Sequence, residues 1–89
     1  MNCWWLYLIE CKGGGIYVGI AKDVAARYEC HKRGMGSHYT RLNPPVRLLA
    51  SMRYPDRRAA TQAELEMKKM SAVAKRQWVL LFGGSSANE

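Results

Sequence analysis

The chain has 89 residues, carries 14 Lys and Arg against 7 Asp and Glu, and is 48% hydrophobic, with a formal net charge of +7. That length holds one domain, and the apolar content, without an acidic or Ser/Pro-rich tract, excludes a disordered chain. The one strongly apolar run, Cys3 to Ile9, is too short to span a bilayer and follows no basic segment of the kind that opens a secretory leader.

A cytoplasmic protein is therefore expected. Its three cysteines, Cys3, Cys11 and Cys30, are odd in number and lack the close spacing of a metal site, so they read as free thiols in a reducing compartment. The charge excess points to a polyanionic partner, nucleic acid first.

Residues 4–10 (WWLYLIE) are aromatic or large apolar and suit a strand. A glycine turn, 11–15, leads into IYVGI, where Ile16, Val18 and Ile20 alternate with Tyr17 and Gly19. Two short strands about a glycine turn make a hairpin. Asp23 is placed to cap a helix running to about Arg33, stopped by Gly34. On that helix Val24, Arg27, Tyr28 and His31 share a face. Residues 34–45 form a loop, with room for one helical turn, closed by Pro44 and Pro45. A third strand follows over 46–54, with Val46 and Leu48, then Ala50 and Met52, facing inward and Arg47 and Arg53 outward. Residues 55–70 carry a helical stripe through Ala60, Ala63, Met67 and Met70. Ser71 caps a last helix that ends before Gly83. The expected fold is α+β: a small three-stranded, mostly antiparallel sheet flanked by helices in the order β-β-α-β-α-α, with the domain at 1–83 and a loose tail at 84–89.

The glycines of GGGIYVG do not form a phosphate loop, because they enter a strand rather than a helix and no Lys-Ser/Thr pair follows. They are turn residues. Gly19 is different, since a glycine inside a short strand costs stability unless something must approach its backbone. It neighbours Tyr17 on one strand face, and Arg27 and His31 follow one turn apart on the next helix. A phenol, a gap, a guanidinium and an imidazole suit a phosphodiester, although each also has an ordinary structural reading.

These residues resemble the GIY-YIG nuclease superfamily, in particular small stand-alone bacterial members related to the catalytic domain of SLX-type endonucleases. The first half-motif stands here as Trp5-Leu6-Tyr7 and the second as Tyr17-Val18-Gly19. Arg27 and His31 in AARYECHKRG, the stretch GSHYTRLNPPVRLL, and Glu64 in AELEMKKMS follow in order. The resemblance covers about residues 4–82. Departures are the Trp-Leu opening and Val18 in place of Ile.

The resemblance implies a metal-dependent endonuclease that hydrolyses DNA phosphodiester bonds, in a setting such as DNA repair. Tyr7 and Tyr17 would line the site, with Tyr17, or a water it positions, favoured in generating the nucleophile. Arg27 would contact the scissile phosphate, and His31 would handle or orient a proton. Whether Tyr17 or His31 is the base stays open. Glu64 would be the sole protein ligand of one Mg2+, or Mn2+, held weakly without DNA because one carboxylate cannot fill six oxygen positions. On a helix Glu66 points away from Glu64, and the apolar stripe favours Glu64. Gly19 would leave room beside Tyr17 for phosphate and metal, and Tyr39 would support the pocket. Arg41, Arg47, Arg57, Arg58 and Lys68 would bind backbone phosphates. With no appended sequence-reading module, the expected selectivity is for branched, nicked or single-stranded DNA. Trp4, Trp5 and Trp78 read as packing residues rather than base-stacking platforms. The alternative is a nucleic-acid-binding module with a degenerate nuclease fold and little or no turnover.

Overall fold

The structure, a computed structural model, describes residues 3–83; the tail expected at 84–89 lies outside the described residues. Three strands, β1 (Trp4–Cys11), β2 (Ile16–Ala21) and β3 (Pro45–Tyr54), form one sheet in the order β2-β1-β3. Both pairings are antiparallel. The turn between β1 and β2 needs its glycines: Gly13 and Gly14 take φ of 92° and 90°, in the left-handed region where a side chain is strained.

Among the described residues four α-helices accompany the sheet: α1 (Val24–Lys32), α2 (His38–Leu42), α3 (Arg57–Lys68) and α4 (Ala72–Trp78), the last running into a π-helical turn at Val79–Gly83. Each begins on a side-chain cap. Asp23, Ser37, Asp56 and Ser71 accept from the backbone N–H of Ala26, Thr40, Ala59 and Ala74. Such a cap satisfies a donor that the helix cannot, and its removal typically costs about 1 kcal/mol. The helical turn allowed for in the 34–45 loop is α2, and the expected last helix is α4 with its π-helical end. Among the described residues no helix is long and apolar enough to cross a membrane.

Strand alternation gives the sheet two buried faces. Leu6, Leu8, Val18 and Leu49 pack with Met67 of α3, joined at the margin by Ile16, Ile20, Ala63 and Trp78. On the other face Tyr7, Ile9, Cys11 and Ala21 pack with Tyr17, Leu48 and, from α1, Val24 and Tyr28. The expected inward face of β3 is corrected here. The pairing of β1 with β3 slips between Leu8 and Ile9 and again between Glu10 and Cys11. The extra residues of these bulges break the period of two. Leu48, opposite Ile9, and Ala50, opposite Leu8, therefore serve opposite faces although they stand two residues apart, and Val46 is left exposed rather than inward.

Candidate functional site

Tyr7 stands in the central strand, with Gly19 opposite it on β2 and Ser51 on β3. Directly opposed residues project from the same face, so Gly19 lies under the tyrosine ring. A Cβ at Gly19 would sit 2.5 Å from Tyr7 Oη and 3.2 Å from Tyr17 Cε2. The gap expected at this glycine is therefore occupied by the protein's own Tyr7 hydroxyl. From α1, His31 reaches the same place, its Nε2 3.0 Å from Tyr7 Oη. Both residues are 2% exposed. On its far side His31 Nδ1 lies 2.8 Å from Thr40 Oγ1 of α2.

Tyr17 rests on this pair, its ring centroid 4.9 Å from that of His31 and 6.3 Å from that of Tyr7. Tyr39 of α2 stacks on Tyr17 from outside, 6.2 Å away and 20° from parallel. Two further glycines admit these rings. A Cβ at Gly15 would strike the Tyr39 hydroxyl, and one at Gly36 the His31 imidazole. The third glycine of the triplet is thus a spacer for an aromatic ring as well as part of a turn. The sequence reading missed Gly15, Gly36 and Thr40; Ser37 three residues before Thr40, a helix-start spacing, was the available signal for the last.

Charge surrounds the buried pair. Burial pushes the Tyr7 phenol far above the ordinary tyrosine range; Tyr17 and Glu64 add to this, while Arg27 opposes it. Burial also lowers His31, and the Arg27 guanidinium lowers it further, so His31 is neutral at neutral pH. Arg27 itself is exposed, and among the described residues no carboxylate forms an ion pair with it.

Glu64 enters from the other layer. On α3, Ala60 and Met67 are buried against the sheet, Glu64 is half-buried between them, and Glu66 is exposed. The Glu64 carboxylate pairs with Lys68 at 3.3 Å, and its charge still acts on Tyr7. As a site for a divalent cation this is a sparse donor set. Among the described residues no group of three His, Cys, Asp or Glu could hold a metal ion. A single carboxylate fits a hard cation that takes most of its oxygens from water and substrate phosphate.

The structure does not gather all the basic residues at this place. Arg47 projects from the opposite face, where its Nε donates to Glu10 at 2.7 Å, and Arg76 shares the same carboxylate. Arg57 lies over the Trp4 ring, 5.2 Å from its centroid, with Lys22 5.7 Å from the same ring. Lys68 is held by Glu64, whereas Arg41 and Arg58 are exposed. Trp78 packs on the core. A surface cavity of about 270 Å3 is lined by Trp5, Lys22, Asp23, Val24 and Ser51. It borders the strand partner of Tyr7 but lies beside the tyrosines rather than over them.

Comparison with known proteins places this arrangement. A family profile described as the GIY-YIG catalytic domain matches residues 3–77. A UPF0213 protein of Xanthomonas axonopodis pv. citri is 46% identical over 76 residues, covering 85% of this chain and 74% of its own. One of Cupriavidus pinatubonensis is 47% identical over 72 residues, covering 81% and 80%. The solution NMR structure of a UPF0213 protein from Bacillus halodurans superposes with a TM-score of 0.59 at 39% identity, covering 92% of this chain and 87% of that one. These relatives bear the UPF0213 name and not that of an SLX-type endonuclease. A domain match over most of the chain, joined to this identity and a shared fold, makes the protein a member of the GIY-YIG family.

Proposed function

We propose that this protein is a nucleic-acid module that seats a DNA phosphodiester against Tyr17 and Arg27 and hydrolyses it when a divalent cation is bound at Glu64. One observation carries the reading. An exposed arginine, without a carboxylate partner among the described residues, stands beside a buried Tyr7–His31 pair whose protonation it influences. Packing alone needs neither a buried tyrosine–histidine hydrogen bond nor an unpaired guanidinium next to it.

Arg27 offers a rigid fork of donors to two phosphate oxygens and neutralises charge as it grows there. Tyr17, half-buried and in contact with the His31 ring, orients the attacking water. The water oxygen bonds to phosphorus, the bond to the 3′ oxygen breaks, and that oxygen takes up a proton as the water gives one up. Both ring nitrogens of His31 are engaged, by Tyr7 Oη at 3.0 Å and by Thr40 Oγ1 at 2.8 Å, which supports a role in holding Tyr7 over one as base. A cation held by Glu64 would supply polarisation of the phosphate and stabilisation of the leaving oxygen. Exposed Arg41 and Arg58 would extend the backbone contact. Substrate choice would rest on DNA shape, in line with the resemblance to SLX-type endonucleases.

A second reading, binding without turnover, is favoured by the Glu64–Lys68 ion pair, which occupies the one candidate ligand. Incubating the protein with nicked, flapped, branched and single-stranded DNA, with and without Mg2+ or Mn2+, separates the two. Cation-dependent cleavage that is lost in Glu64→Ala and Arg27→Ala supports hydrolysis. Binding that is weakened by Arg27→Ala, with no cleavage by any form, supports the second reading. Cleavage that survives both substitutions overturns the residue assignment, and an absence of binding overturns both readings.

A further inference from the structure

The buried imidazole of His31 has both nitrogens engaged, and the pattern of bonds around it decides where its proton resides. Thr40, 1% exposed, is the group behind Nδ1. Its hydroxyl donates to the Ser37 carbonyl at 3.0 Å. Its Oγ1 also lies 3.2 Å from Ser37 Oγ, and its backbone N–H donates to that same oxygen. A hydroxyl has one proton to give. The Ser37 carbonyl can only accept, and it also takes the Arg41 N–H at 3.1 Å; with the Thr40 proton given to it, Oγ1 is left as the acceptor toward His31. Nδ1 therefore carries the hydrogen. In a neutral imidazole that leaves Nε2 bare, and the Tyr7 hydroxyl donates to it at 3.0 Å. The chain has one direction: Tyr7 to His31, His31 to Thr40, Thr40 to the first turn of α2. Among the described residues it leaves no buried side-chain polar atom unsatisfied.

We propose that Thr40 is a positioning residue whose hydroxyl fixes His31 in the Nδ1–H tautomer, keeping Nε2 as the acceptor for the Tyr7 hydroxyl. For the chemistry, which rests on the function proposed above, Tyr7 then has its proton turned inward and presents only oxygen lone pairs to a water entering beside Tyr17 and Arg27. The other tautomer would set two N–H and O–H donors against each other at Tyr7 and turn the phenol proton outward. Helix α2 thus controls the protonation pattern of a residue on α1 and, through it, the orientation of a hydroxyl on β1. Gly36 is part of the device, since a side chain there would displace the imidazole from Thr40.

The tautomer can be read without any assay of activity. Long-range 1H–15N spectra of the 15N-labelled chain at neutral pH, in a His38→Gln background that leaves His31 as the one histidine, distinguish a protonated Nδ1 from a protonated Nε2. The expected result is Nδ1–H in the parent and in Thr40→Ser, and a mixed or Nε2–H population in Thr40→Val, with the backbone spectrum of each variant confirming the fold. An Nε2–H parent, or a Thr40→Val variant with an unchanged tautomer, overturns the proposal. Should Thr40→Val not fold, the parent and Thr40→Ser spectra still decide it. If the chain cleaves DNA, Thr40→Val should lower kcat by about tenfold or more while leaving DNA affinity unchanged, and Thr40→Ser should restore kcat. Loss of DNA affinity with kcat intact would overturn the positioning role. A chain that shows the expected tautomer but cleaves no DNA would defeat the hydrolytic reading and leave this assignment standing.

Discussion

Gly19 and Tyr7 are a single fitted pair: the strand omits a side chain at one position so that a phenol can turn inward at the other. Replacing Gly19 with Ala puts a methyl group 2.5 Å from Tyr7 Oη, so the ring must move off Nε2. The cost expected from overpacking is about 1–3 kcal/mol, read as a lower urea midpoint. Any cleavage should fall along with it, because Tyr7 and Tyr17 are displaced together. His31 gives a pH signature. It is faced by Tyr7 from β1, Tyr17 from β2 and Arg27 on its own helix. Its folded-state pKa is depressed by burial and then by Arg27, so below the unfolded value, about 6.5, the unfolded chain binds the proton more readily. Stability from this residue is thus complete above that value and is lost as pH falls toward the depressed one. Urea unfolding followed from pH 8 downward should show this slope, and His31→Gln should remove it. Glu10, whose carboxyl is held low chiefly by its bond to Arg47, acts in a separate and more acidic range.

At the scale of elements, helix periodicity and strand periodicity were not equally readable. On α3 a spacing of 3.6 residues, read from Ala60, Ala63 and Met67, placed Glu64 at the sheet-facing flank and Glu66 in solvent, and the structure has them so. The helix is held there by Met67, 4% exposed against Leu6 and Leu8. Met67→Ala should cost about 2–5 kcal/mol in urea denaturation, whereas Glu66→Ala, an exposed change, should leave the midpoint unmoved. On β3 the period of two failed. Alternation from Val46 predicts one inward face, but two slips in pairing with β1 insert extra residues. Bulges are set by what the neighbouring strand presents, so no count along β3 alone reveals them. Helix α2 is an intermediate case: Ser37 and Thr40 mark its start, yet its five residues are too few for periodicity to register.

For the whole molecule, the charge of +7 is apportioned by the fold rather than offered uniformly. Arg27 stands beside the tyrosines, while Arg47 faces away and is neutralised by Glu10. If DNA lies over Tyr17 and Arg27, fluorescence anisotropy between about 50 and 200 mM salt should give log affinity falling linearly with log salt, by about 0.9 per phosphate neutralised. Arg27→Ala should reduce that slope by about one unit, and Arg47→Ala should leave it unchanged. Equal slopes for the two variants would place the DNA elsewhere. Turns, caps and helical spacing are local, so the hairpin, the caps Asp23 and Ser71, the spacing that sets Arg27 one turn from His31, and an element order that lacks only α2 could all be read along the chain. Contacts between distant parts of the chain are what put the Tyr7 hydroxyl above Gly19, Thr40 Oγ1 behind His31 Nδ1, and Arg47 on the other face. Those facts depend on strand register, on two bulges and on close approach between separate elements, none of which leaves a repeat in the sequence.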